Sequence, residues 1–355
     1  MGLFGKGRRE VDGARAAEVA RQSAAIEAFW RWWTQEGAAE AAAAIADLRP
    51  ERLVDPLGQR VAAIDPGLAW ELTAGSSSRH LLVVGPEGNP ALRTTARRWL
   101  LAGPEPDEVW SYADTRPPAA HLEGFRIEVD RVPIALADVV LAARREGAHL
   151  DVSVYHPAFE RLQQHTRTQV ALLALDSVLG EADHELWIGH VEAIALPPLD
   201  PVPLTGLRAA VRDLRQDFTD AEGRPAWVVM EAQGHGGPIQ AAAQVPLSPL
   251  TAPLLDTHIT VELPYSDQTE HAFPGPRSLQ ALQALEGALS SRLGERGRVV
   301  AHESHNGVRV LHVYVDSRTD ALRQVGELAE GWGEGTATIR QARDPGWERV
   351  RHLRV

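Results

Sequence analysis

The chain has no cysteine, and that single absence removes disulfides, thiolate metal centres and thiol nucleophiles together. It also lacks any run of about 18 apolar residues, the length a bilayer-spanning helix needs, so no membrane association is expected. Positive charge is in deficit: 36 Lys and Arg face 48 Asp and Glu, for a formal net charge of -12. Such a balance repels phosphate and works against broad nucleic-acid binding or binding to an anionic membrane. The opening stretch Met1-Gly2-Leu3-Phe4-Gly5-Lys6-Gly7-Arg8-Arg9 has neither an apolar signal segment nor the Ser or Thr of a myristoylation signal. It reads as a loose tail, and the cytoplasm is the expected compartment. Catalytic motifs are missing as well. Gly234-His235-Gly236-Gly237 has no Lys-Ser/Thr ending and lies between strands, so it reads as a hairpin turn and not a phosphate loop. Ser76-Ser77-Ser78 lacks the strand, sharp elbow and helix that a hydrolase serine requires. No cofactor is expected.

What is present suits a folded protein of two domains: 355 residues, 44% hydrophobic and 24% charged, enough to bury sizeable cores. The segment Leu196-Pro197-Pro198-Leu199-Asp200-Pro201-Val202-Pro203 is so stripped of backbone donors that it cannot continue a sheet interior. The domains are therefore placed at residues 1–200 and 201–355. From Ala14 to Leu48, helix formers carry Ile26, Phe29, Trp30 and Trp33 on one stripe, with a break near Gly37; Trp32 falls off that stripe. Helix and strand signals then alternate irregularly as far as Ala195, the pattern of an α+β domain. One helix ends at Gly180, and a strand is expected from Glu185 to Ala195; Asp183, His184, Glu185, His190 and Glu192 form a polar cluster there, with Asp183 and Glu185 on the opposite face from His184, His190 and Glu192. Arg93, Arg97 and Arg98, next to Trp99, read as a solvated helix face in preference to a nucleic-acid contact.

Between Asp256 and Gln341 the hydrophobic period switches in the order strand, helix, strand, strand, helix, strand. This predicts a ferredoxin-like antiparallel βαββαβ sheet with both helices on one face, plus lead-in strands. Asn306-Gly307 suits a two-residue hairpin turn, which pairs His305 with Val308, Glu303 with Val310 and Ala301 with His312. Alternation then sends Val300, Leu311, Val313 and Val315 towards the helices. The opposite, open face receives Glu303, His305, Val310, His312 and Tyr314, joined by His258, Thr260 and Glu262 from the neighbouring strand. Imidazoles and carboxylates there suit zinc or another divalent ion if three or four converge. His302-Glu303-Ser304-His305 is not such a pair, because on a strand its two histidines face opposite ways.

Several segments resemble a known bacterial family. They are Phe29-Trp30-Arg31-Trp32-Trp33, the Trp110 strand leading to Arg116-Pro117-Pro118, Leu175-Asp176-Ser177-Val178-Leu179-Gly180-Glu181, Val261-Glu262-Leu263-Pro264-Tyr265 with Pro274, and Asp344-Pro345-Gly346-Trp347. The family is that catalogued as domain of unknown function 695, in the fused form with an extra N-terminal α+β region. The resemblance implies a cytoplasmic α+β protein without an assigned activity. Some relatives are similar in architecture to proteins with the ribonuclease-activity-regulator B domain, which implies regulation by binding. The sequence is therefore read as a non-catalytic protein-binding or regulatory module. Its candidate surface is Trp32, His258, Glu262, Glu303, His305, His312 and Tyr314. The alternatives are a metal-dependent enzyme using His258, His305 and His312 with Glu303 or Glu262, and a regulator of a ribonuclease.

Overall fold

The computed structural model describes residues 3–119, 122, 124–129, 131–234 and 236–355. The chain divides into two compact α+β units, Met1–Arg116 and Pro117–Val355. Helix α1 (Leu3–Trp32) begins inside the stretch expected to be a loose tail; Met1 and Gly2 lie outside the described residues. A π-helical turn, Trp33–Gly37, joins it to α2 (Ala38–Ala46) at the predicted break. There follow α3 (Val54–Ile64), β1 (Ala69–Ala74), β2 (His80–Gly85), α4 (Arg93–Leu101) and β3 (Trp110–Ala113). Asn89 starts the segment leading into α4 by accepting from the Ala91 N–H at 3.1 Å, with Pro90 next, where a missing donor costs nothing.

The aromatic cluster of α1 is the core of this unit. Trp30 stacks on Trp99 with centroids 4.7 Å apart, and its indole N–H donates to the Trp99 carbonyl at 2.7 Å. Trp33 is buried and donates to the Tyr112 hydroxyl at 3.0 Å. Indoles are buried at low cost only when the N–H finds such an acceptor.

The second unit opens with β4 (Arg126–Val129), β5 (Val132–Ala135), β6 (Val140–Glu146), β7 (His149–Tyr155), α5 (Gln164–Trp187), β8 (Ile188–Ala193), β9 (Val202–Pro203) and α6 (Leu207–Asp217). The two residues of β9, inside the proline-rich stretch, pair with the edge of β6, an edge position being where proline is tolerated. Val170, Leu175 and Val178 of α5 and Leu207, Val211 and Leu214 of α6 share one core with this sheet. The strand expected from Glu185 is present as β8 but starts three residues later, at Ile188, because residues 185–187 are still helical. Gly180, with φ 76° and ψ 163°, is non-helical: the first helix ends there as expected, and a second, short one follows across the kink as far as Trp187.

The last part comprises β10 (Ala226–Gly234), β11 (Gly237–Val245), β12 (Thr257–Pro264), α7 (Pro276–Leu293), β13 (Gly297–His305), β14 (Val308–Val315), α8 (Ala321–Glu330) and β15 (Thr338–Arg343). They form one antiparallel sheet in the order β10-β11-β13-β14-β12-β15. The Gly234–Gly237 hairpin is present, with His235 outside the described residues. Asn306 and Gly307 take φ of 49° and 74°, and all three predicted cross-strand pairs are observed.

One parity expectation fails. The β13–β14 register shifts between Val299 and Ala301, a bulge that sets two residues against one partner. Val299, not Val300, therefore joins Leu311, Val313 and Val315 beneath Leu282, Leu289 and Val325 of the helices. Val300 turns to the other face, into a second core with Tyr314, Trp347, Val350 and Leu353.

Candidate functional site

That second core decides the fate of the predicted polar face. After β15 the chain turns at Asp344-Pro345-Gly346-Trp347 and lays the 3-10 helix Glu348–Leu353 against the sheet. Trp347 adopts φ 55° and is fully buried. Its ring stacks on Tyr314 at 4.4 Å and 22°, and its N–H donates to the Leu255 carbonyl at 2.9 Å. Asp344 fixes the turn: its carboxylate accepts from the backbone N–H groups of Glu348 (3.0 Å) and Arg349 (2.9 Å) and from the Tyr314 hydroxyl (2.6 Å). The face expected to be open is thus covered, with His258 4%, His312 5% and Tyr314 0% exposed.

Beneath this cover the predicted residues meet in a line. His258 Nε2 lies 3.0 Å from His312 Nδ1, and His312 Nε2 lies 2.9 Å from Glu303 Oε1. His352, on the 3-10 helix, brings Nε2 to the same oxygen at 3.1 Å. An ionised carboxylate only accepts, so His312 donates from Nε2; with a neutral ring its Nδ1 is the acceptor, and His258 donates to it. The chain of donors therefore runs one way, from the buried His258 to the partly exposed Glu303. Burial first, then the neighbouring His312, lowers the His258 pKa to about 4. The hydrogen bond from His312, reinforced by that from His352, holds Glu303 down at about 2. Burial and the bond to Asp344 push the Tyr314 phenol far above its ordinary range.

The other candidates stand apart. His305 lies beside the β10–β11 turn, where a Cβ on Gly236 would come within 2.9 Å of its Nε2, and no hydrogen bond joins it to His312. Glu262 is ion-paired with Arg340 of β15. Trp32, in the first unit, is half-buried under the Arg60 guanidinium, 4.0 Å from its ring, and packs edge-on to Phe29 and Trp33. Of the earlier polar cluster, His184 contacts Asp176 at 2.5 Å and Asp183 pairs with Arg215. The expected solvated arginine face is not one: Arg93 is buried, and Arg97 is ion-paired with Asp114 at 3.0 Å.

Chemically, this line does not suit a metal or a nucleophile. Its inner end is closed by rings, His258 lying against both His312 (5.2 Å) and Tyr314 (4.9 Å). Among the described residues no three His, Asp or Glu converge as an ion would require, and no helix is long and apolar enough to cross a membrane. Asp344 and His352 were missed from sequence. The available signal was the spacing of Trp347, Val350 and Leu353, an apolar stripe on a short terminal helix that needs a face to cover.

Fold and site together define an α+β protein whose C-terminal sheet is closed on one side by helices and on the other by its own terminal segment. Residues 247–352 match the model of the family described as a family of unknown function (DUF695), the one to which the motifs pointed. Val261–Tyr265, Pro274 and Asp344–Trp347 lie inside the match; the preceding α+β residues are consistent with the extra N-terminal region. No curated protein and no solved structure matches the chain.

Proposed function

We propose that this is a non-catalytic cytoplasmic module that acts by holding a protein partner, and that β12–β15 with α7 and α8 are a ferredoxin-like unit extended by the β10–β11 hairpin. The unit order β13-β14-β12-β15 with two helices on one face supports the second part. The first rests on β10. This strand is nine residues long, pairs among the described residues with β11 alone, contains no proline and a single charge, Glu231, and leaves Trp227 41% and Val229 65% exposed. Long apolar edges are the ones folded proteins otherwise blunt with charge or cover. Left bare, such an edge accepts an added strand, with main-chain bonds supplying affinity. The polar line beneath the C-terminal segment is engaged in internal bonds, which supports binding over catalysis.

The test is affinity capture from the source cell with the wild-type chain and with Val229→Lys, each identified by mass spectrometry. A partner recovered by the first and lost from the second is expected. Identical recovery by both would refute strand addition at β10.

A further inference from the structure

The helix layer of the C-terminal sheet stops short. α7 and α8 cover β12 to β15, while the helix-side face of β10 and β11 continues beyond α7 and leaves a cavity of about 650 Å³. One wall is α7, through Gln283, Glu286, Gly287 and Ser290; the other is Trp227 of β10 and Gln244 of β11. Register explains why these meet. Trp227 pairs with Gln244, and Ala242 pairs with both Val229 and His302, so Trp227 and His302 share the helix-side face. Their rings stack at 5.6 Å and 28°, yet the indole keeps much of its surface uncovered.

Two carboxylates, Asp220 and Glu286, and two arginines, Arg224 and Arg298, line the cavity, so the case for a cation rests on where its acceptors stand. Glu286 Oε1 accepts from Arg309 Nη1 at 3.2 Å and lies 3.4 Å from His302 Nδ1; Oε2 has no donor among the described residues. Burial pushes this carboxyl above its ordinary range, with Arg309 opposing the shift only in part. Ser290 and Gly294 bring the C-terminal, negative end of α7 to the cavity. Gln244 donates to the Val299 carbonyl at 3.3 Å, which leaves its side-chain oxygen to accept. Two of the three arginines nearby are ion-paired, while Arg298, which sits opposite Tyr314 and so on the other face of β13, has no carboxylate partner among the described residues. Arg224 pairs with Asp220 and Glu222, Arg309 with Glu286 and Ser304, and Arg298 reaches the Thr251 carbonyl at 3.5 Å.

We propose that this cavity binds a guanidinium group, stacked on Trp227 and hydrogen-bonded to Glu286 and the glutamine oxygens beside the end of α7. A flat cation with donors in its plane matches an indole face flanked by acceptors; an ammonium on a flexible stem does not. Two sources share this chemistry, a free guanidino compound and the arginine side chain of a peptide. The inference does not rest on strand addition at β10, and separate variants test the two.

Isothermal titration of the full chain with methylguanidine, L-arginine amide, L-lysine amide and a short arginine-containing peptide decides it, together with NMR of the Trp227 indole N–H. Saturable binding of the guanidinium ligands is expected, at least tenfold tighter for arginine amide than for lysine amide, with the Trp227 signal shifting. Trp227→Ala and Glu286→Gln should each weaken it at least tenfold. Gly287→Leu is the control for folding, since a Cβ there meets nothing within 4 Å; it fills the cavity while favouring the helix, and binding should vanish at unchanged thermal stability. A peptide at least tenfold tighter than arginine amide assigns the group to a protein; equal affinity assigns it to a small molecule. Absence of saturable binding by any guanidinium ligand at millimolar concentration, or binding that survives Gly287→Leu, would overturn the proposal.

Discussion

His258 is the residue with the clearest thermodynamic signature. Its pKa is about 4 in the folded chain against an ordinary value of 6.5, so between those values the unfolded chain binds the proton and the folded one does not. Stability is then fully present above pH 6.5 and is lost as the pH falls towards 4. A shift of this size corresponds to about 3 kcal/mol. Glu303, about 2 against 4.5, acts in the same direction in the next window down, from 4.5 to 2. The urea midpoint of the protein is therefore expected to drop steadily from pH 7 to pH 4. His258→Phe should lower stability at pH 8 by about 1–3 kcal/mol, because it strips His312 Nδ1 of its buried donor, and yet flatten the slope between pH 6.5 and 4. A variant with an unchanged slope would place the acid sensitivity elsewhere.

At the scale of elements, the terminal segment is what turns a sheet face into a core. Trp347 has no exposed surface, and it is tied to β14 through Tyr314 and to residue 255 through its N–H. Trp347→Ala is expected to cost about 3–5 kcal/mol and to raise amide exchange in β13 and β14, measured by hydrogen–deuterium exchange. Loss of protection confined to residues 344–355 would mean that the sheet does not need its cover. The same region shows where sequence was and was not informative. The Asn306-Gly307 turn fixed the register outright, because few residue pairs accept two positive φ values, and that register brought His312 to Glu303 and His258. The bulge at Val300 could not be read, since an extra residue in a strand leaves the alternation of its neighbours intact on both sides while inverting their relation. The cover was equally silent: alternation says which side chains share a face, and nothing about which distant segment lies on it. Gly180 ended its helix as read, but the short helix that follows it to Trp187 was not legible, because a glycine at a helix end does not say whether helix or strand comes next.

For the whole molecule, the separate cores are the controlling fact. The aromatic cluster around Trp33 and Trp99 draws only on residues before 113, while the remaining cores draw only on residues from Ala119 onwards. Damage inside one cluster should therefore be felt within its own unit. Gly37 offers a clean probe. Its φ of -60° is helical, so alanine by itself would be a gain of up to about 1 kcal/mol. Against this, the new Cβ would stand 2.7 Å from the Trp32 ring, and that ring cannot retreat, being held between Arg60, Phe29 and Trp33. Overpacking of this kind costs about 1–3 kcal/mol, so the clash outweighs the propensity. Gly37→Ala is expected to be less stable, with hydrogen exchange accelerated in residues 17–116 and the protection of β12 to β14 kept. Acceleration spread evenly along the chain would show that the two units unfold as one, and the pH dependence of His258 would then be a property of both.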